Sequence, residues 1–183
     1  MKTNPRNPWQ TLKSKTHYDN PWIKVVEHKV INPGGSPCIY GTVHFKNFAV
    51  GVIPMDEKKN IWLVGQYRYP LKTYSWEIPE GGGKRNIDPL KTAKRELKEE
   101  TGLVARKYRK LIEMHLSNSV TDEWAIIYLA TGLRQEKAEP EEDEVLRIRK
   151  VSLEKAYRMV IRGEITDSMS VAGILRLKLL LSS

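Results

Sequence analysis

Before Pro70 the apolar positions come in short runs with a two-residue rhythm and no helical period. Residues 22–31 set Ile23, Val25, Val26, Val30 and Ile31 among charged neighbours, the pattern of a half-buried strand. Pro33-Gly34-Gly35 predicts a turn, and residues 39–45 follow with rough alternation. Residues 48–53 and 61–67 are apolar runs joined by Asp56-Glu57-Lys58-Lys59-Asn60, which reads as a hairpin connection. Residues 1–16 are polar and basic, carry Pro5 and Pro8, and read as a partly ordered arm.

The texture changes at Glu80. Gly81-Gly82-Gly83 reads as a flexible loop whose backbone can approach a ligand closely. Asp88-Pro89 supplies a helix N-cap and first helical residue. Leu90, Ala93, Leu97 and Thr101 recur at helical spacing as a core stripe, and Gly102 is the stop signal. Strand-like stretches return at residues 111–116 and 124–130, and an acidic loop over residues 136–144 leads into another at 145–151. Two helices close the chain: Ser152 caps the first, which ends at Gly163, and Asp167 or Ser170 caps the second, which runs into Leu179. Many strands with one early and two late helices indicate α+β or a mixed α/β sandwich.

Composition narrows this picture without deciding it. The 183 residues suit one domain with a small extension. A hydrophobic share of 40% with 29% charged residues argues against wholesale disorder. Lys and Arg number 31 against 22 Asp and Glu, and the resulting +9 favours an anionic partner, whether nucleotide, nucleic acid or membrane surface. Cys38 is the only cysteine, which excludes an intrachain disulfide and a cysteine-based zinc site; it reads as a small buried or edge residue. No apolar run reaches the roughly 18 residues of a membrane-spanning helix. Residues 1–12 lack the apolar core of a secretory signal, so a soluble protein of a reducing, cytoplasmic compartment is expected. His17, His28, His44 and His115 are dispersed and form no ligand spacing.

Chemistry concentrates in Arg95-Glu96-Leu97-Lys98-Glu99-Glu100-Thr101-Gly102. At about 100° per residue, Glu96, Glu99 and Glu100 share one helix face. Like charges so close destabilise a helix unless something neutralises them, and Arg95 can pair with Glu99 one turn on. The remaining carboxylates are hard oxygen donors of the kind that suit Mg²⁺ or Mn²⁺. The competing reading is a solvated acidic face, but a glycine run before the helix and a glycine directly after it weigh against that.

Residues 81–103 closely resemble the Nudix box, G-x5-E-x7-R-E-U-x-E-E-x-G-U, through Gly81, Arg95, Glu96, Leu97, Glu99, Glu100, Gly102 and Leu103. Gln66-Tyr67-Arg68-Tyr69-Pro70, Trp76-Glu77-Ile78-Pro79-Glu80-Gly81 and the tail Gly163-Glu164-Ile165-Thr166-Asp167 look like the ADP-ribose pyrophosphatase branch. The likeness runs from about Trp22 to the C-terminus. One position departs: the first glutamate of the box is Ile87 here, with Asp88 one residue late. Isoleucine neither binds metal nor accepts a hydrogen bond, which keeps a non-catalytic nucleotide sensor in view.

The resemblance implies an α/β class fold, the Nudix α/β/α sandwich with a mixed sheet, plus N-terminal antiparallel strands. Residues 1–47 would form the arm and strands of a dimerisation sheet, and residues 48–183 the Nudix domain. It implies hydrolysis of a nucleoside diphosphate sugar, ADP-ribose foremost, with Mg²⁺ or Mn²⁺ neutralising the diphosphate and activating water. Glu96 and Glu100 would be the main metal ligands, with Glu99 nearby and the backbone carbonyl, not the side chain, of Glu80 as a further ligand. The general base would come from the acidic loop, as Glu142 or, second, Glu144. Arg68 reads either as a phosphate contact or as a surface arginine in a salt bridge. Trp22 or Tyr18 would stack on a base or pack in the core or a dimer, and Glu123 would touch substrate from the 119–123 segment. A homodimer with its substrate site near the subunit junction is expected. GDP-mannose, dinucleoside polyphosphates and capped RNA are alternative substrates, although no RNA-binding motif accompanies the positive charge.

Overall fold

A computed structural model describes residues 6–136 and 146–182 as two compact units. One unit comprises the chain up to Asn47 together with Ser117–Glu123; the other comprises Phe48–Leu116 and the chain from Trp124 onward. Among the described residues no helix is long and apolar enough to cross a membrane.

The first unit is an antiparallel sheet of β1 (Gln10–Asp19), β2 (Ile23–Ile31) and β3 (Pro37–Phe45), in that order. The expected arm is therefore a strand from Gln10 onward. All ten residues of β1 are exposed, so no apolar alternation marks it. Side chains close the two turns. Asn20 Oδ1 accepts from Trp22 N at 2.9 Å and Ile23 N at 2.7 Å. Asn32 Oδ1 accepts from Gly34 N and Ser36 N, both at 3.0 Å. Ser117–Glu123 is sewn onto the edge of β3: Val43 N donates to Val120 O at 2.9 Å, and Phe45 N to Asp122 Oδ1 at 2.9 Å.

Two of the dispersed histidines meet on this sheet. Ser14 Oγ lies 2.8 Å from His28 Nδ1, and His28 Nε2 and His44 Nε2 each lie 2.9 Å from Thr42 Oγ1. His44 Nδ1 lies 2.9 Å from Asp122 Oδ2. A row of hydrogen bonds thus crosses three strands and ends on the sewn segment.

The second unit carries β4 (Asn47–Pro54), β5 (Asn60–Arg68), β6 (Thr73–Glu77), β7 (Glu80–Lys84), β8 (Leu103–His115), β9 (Trp124–Gln135) and β10 (Arg147–Ser152). Its helices are α1 (Pro89–Thr101), α2 (Leu153–Ile161) and α3 (Ser168–Ser182). A four-stranded sheet runs β7-β4-β9-β8, with β4 parallel to β9 and β8 antiparallel to it; a second sheet runs β10-β5-β6. Alternation along β4 and β9 feeds two cores. Val50, Val52, Ile126 and Ala130 meet Ala93 and Leu97 of α1, while Ile53 and Ile127 meet Ala156 and Met159 of α2 and Ile174 and Leu177 of α3. The mixed sheet between helices is the α/β sandwich the sequence implies.

Local signals set the helix ends. Asp88 Oδ1 accepts from Leu90 N at 2.9 Å, Pro89 opens α1, and Gly102 closes it at φ +68° with its N–H on Lys98 O. Ser152 caps α2 by accepting from Lys155 N. Asp167 caps α3, accepting from Ser170 N at 2.7 Å, so Ser170 is not the cap.

Candidate active site

The glycine run is not a loop. Gly81, Gly82 and Gly83 lie within β7, at the edge of the four-stranded sheet. Strand propensity alone disfavours glycine, but space decides here. A Cβ on Gly81 would sit 2.2 Å from the Glu96 carboxylate, and one on Gly83 would sit 2.3 Å from the Phe48 ring. Glycine is what lets α1 bring its carboxylates against this strand.

Helix α1 turns Glu96 and Glu100 inward, at 7% and 3% exposure, and leaves Glu99 half-buried. A solvated acidic face is thereby excluded for the first two. Arg95 partly neutralises the cluster: its Nη1 donates to Glu99 Oε2 at 2.5 Å, and its Nη2 donates to Glu96 and to Gly82 O. Glu80 N donates to Glu100 Oε2 at 3.0 Å. Asp88 is committed to capping and Ile87 is 41% exposed, so neither supplies the missing first carboxylate of the box.

Two buried carboxylates one turn apart, beside the glycine run of β7, fit a hard divalent cation. Among the described residues no three His, Cys, Asp or Glu side chains form a ready metal cage. Mg²⁺ asks for less, because it binds through one or two carboxylates and completes its shell with water and substrate phosphate.

Beside this cluster stands a buried ion pair that sequence reasoning only half foresaw. Arg68 Nε donates to both Glu77 oxygens at 3.0 and 3.1 Å, and its Nη2 donates to Glu80 Oε1 at 3.0 Å. The salt-bridge alternative for Arg68 is the one the geometry displays, although the bridge is internal. Burial works against the Arg68 charge, but Glu77, then Glu80 and Asp167, hold it above its ordinary range. The Glu80 side chain also enters the picture. Burial, then the charges of Asp167 and Glu77, push its carboxyl well above the usual carboxylate range, and among the described residues its Oε2 is buried without a hydrogen-bond partner.

Glu77 itself went unnoticed in sequence, yet a signal existed. Ser75 and Glu77 fall on the buried alternation of β6, and a glutamate there, at 2% exposure, demands a cationic partner. Ser170, which the sequence offers only as a cap, is fully buried in α3, and its Oγ accepts from Ile78 N at 2.8 Å.

Glu80, Glu96, Glu99, Glu100 and Arg68 thus come together in the second unit. Trp22 and Glu123 belong to the first. Trp22 and Tyr18 are 65% and 54% exposed, so among the described residues neither has a core role. The Glu123 carboxyl is raised by burial and then by the Asp122 charge. Glu142 and Glu144 lie outside the described residues.

Comparison with known proteins supplies the context. The NUDIX domain model matches residues 46–168, and a nucleoside diphosphate sugar hydrolase N-terminal domain model matches residues 9–43. An ADP-ribose pyrophosphatase of Mycobacterium tuberculosis is 35% identical over 175 residues, covering 91% of this chain and 82% of that protein. An ADP-ribose pyrophosphatase of Bacillus subtilis is 36% identical over 133 residues, 72% of each chain. The crystal structure of an ADP compounds hydrolase superposes with a TM-score of 0.87 at 19% identity, over 98% of this chain and 97% of that one, a likeness of fold.

Proposed function

This chain belongs to the Nudix family, and from that premise we propose that it hydrolyses the diphosphate linkage of ADP-ribose or a related nucleoside diphosphate sugar, yielding a nucleoside monophosphate and a sugar phosphate. It is a Nudix pyrophosphohydrolase. The observation that carries the reading is the burial of Glu96 against Gly81 with Glu100 one turn on, which gathers two hard oxygen donors on one helix face. The similarity to ADP-ribose pyrophosphatases supports the substrate class.

Nudix hydrolases use a divalent metal, and we assign Mg²⁺, with Mn²⁺ able to replace it. Glu96, Glu100 and the Glu80 backbone carbonyl would hold the ion, which when bound neutralises the diphosphate and acidifies a water. Arg95 restrains Glu99 and Glu96 and so presets the carboxylates. Glu142 takes the proton from the attacking water, and Glu144 is the alternative base. Arg68, 35% exposed beyond its ion pairs, offers charge to a phosphate; Glu123 and the exposed Trp22 indole serve substrate binding. A homodimer in the cytoplasm completes the reading, and a light-scattering mass near the 21.1 kDa of one chain would contradict the dimer.

The test is product analysis with ADP-ribose and Mg²⁺. AMP and ribose 5-phosphate, absent with EDTA, are expected. Absence of AMP moves the assignment to GDP-mannose and other nucleotide sugars. Ligand binding without turnover across that panel would favour the sensor that Ile87 invites.

A further inference from the structure

We propose that Ser170 is a positioning residue for the metal site: by accepting the Ile78 N–H, its hydroxyl holds the bend that aims the Glu80 main chain. The inference rests on the Nudix reading above. The bend joins β6 to β7, and three different elements pin it in succession. Ile78 N donates to Ser170 Oγ of α3 at 2.8 Å, Pro79 O accepts from Val52 N of β4 at 2.8 Å, and Glu80 N donates to Glu100 Oε2 of α1 at 3.0 Å.

Pro79 makes the first contact count at the third residue. Its ring fixes its own φ and restricts Ile78 before it, so few soft torsions separate the Ile78 amide from the Glu80 peptide. Ser170 is itself held, because its N–H donates to Asp167 Oδ2 at 2.7 Å. The surrounding positions of α3, Ile174 and Leu177, are apolar and fully buried, as Ser170 is. A hydroxyl at such a position is unfavourable unless it meets a partner, and this one reaches across 92 residues of sequence to find it.

A merely structural serine would affect melting and nothing else. The decisive measurement is Mn²⁺ binding to the purified protein without substrate, by isothermal titration calorimetry, alongside thermal melting. Ser170→Ala is expected to weaken Mn²⁺ binding about 10- to 100-fold, the range seen when a partner behind a metal ligand is lost. Ser170→Cys, which keeps the size with a weaker acceptor, should fall between, and Ser170→Thr, which keeps the hydroxyl, should bind nearly as wild type. Ile174→Val, buried in the same helix, should lower the Tm and leave Mn²⁺ binding unchanged.

Wild-type affinity in the folded Ser170→Ala or Ser170→Cys protein would overturn the proposal. So would a loss in Ile174→Val as large as that in Ser170→Ala. Failure of the wild type to bind Mn²⁺ would overturn both this inference and the functional reading. Normal Mn²⁺ binding without AMP formation would overturn only the substrate assignment.

Discussion

The two units treat polar side chains in opposite ways. In the N-terminal sheet they meet one another near water, in the row from Ser14 through His28, Thr42 and His44 to Asp122, and β1 hides none of its ten residues. In the second unit Glu77, Glu96 and Glu100 are driven below 10% exposure. Near the surface each hydrogen bond contributes roughly 0.5–1.5 kcal/mol and its loss is softened by solvent. Inside, stripping a charge of its partner costs several times more, so the groups that meet Glu77, Glu96 and Glu100 weigh more than any in the N-terminal row.

The largest break in this contrast is Glu100→Gln. Turnover should fall by more than about 100-fold with the fold intact, since even partners one layer behind a metal ligand can cost that much. Full activity at ordinary Mg²⁺ would refute the ligand assignment. Glu77→Gln strips Arg68 of its main anion. A loss of about 1–3 kcal/mol in urea unfolding is expected, less than the ~3–5 of a fully buried pair because Arg68 is 35% exposed.

Glu80→Gln should act in the other direction. The Glu80 carboxyl is raised in the folded chain, so the native state holds a proton that the unfolded chain releases in the ordinary carboxylate range near pH 4.3. Stability from that proton is complete in acid and is lost as the pH climbs from there toward the folded value. In EDTA, the variant should therefore melt above wild type at neutral pH, with the difference vanishing in acid. A constant difference across pH would remove the buried acid from the argument. The smallest effect belongs to β1: Leu12→Ser, at a position 56% exposed, should change stability by no more than about 0.5 kcal/mol.

What was legible in the sequence was what a few neighbouring residues determine. Asp88, Pro89 and Gly102 mark α1 because caps act within one turn. The spacing of Glu96, Glu99 and Glu100 was enough to place them on one face. β1 is not legible, because among the described residues nothing covers either of its faces and no apolar rhythm results. The glycines read as a loop because their strand accommodates Glu96 and Phe48, which no local pattern announces. Ser170 and Ile78 stand 92 residues apart, and only the folded chain brings them together.

Thr42 has one hydroxyl hydrogen and two imidazole nitrogens at 2.9 Å. The Val26 carbonyl oxygen is a weaker third partner at 3.5 Å, so the hydroxyl donates to one nitrogen and receives from the other. With both rings neutral, His44 directs its Nδ1 hydrogen at Asp122 and takes the Thr42 hydrogen on Nε2, so His28 must carry its own hydrogen on Nε2 and accept from Ser14. Every donor in the row then points from β1 toward Asp122. Two residues of the same kind, on adjacent strands, are locked as opposite tautomers, and nitrogen-15 spectra should record two different rings. The sheet acquires a polarity across its strands from a single row of side-chain hydrogen bonds.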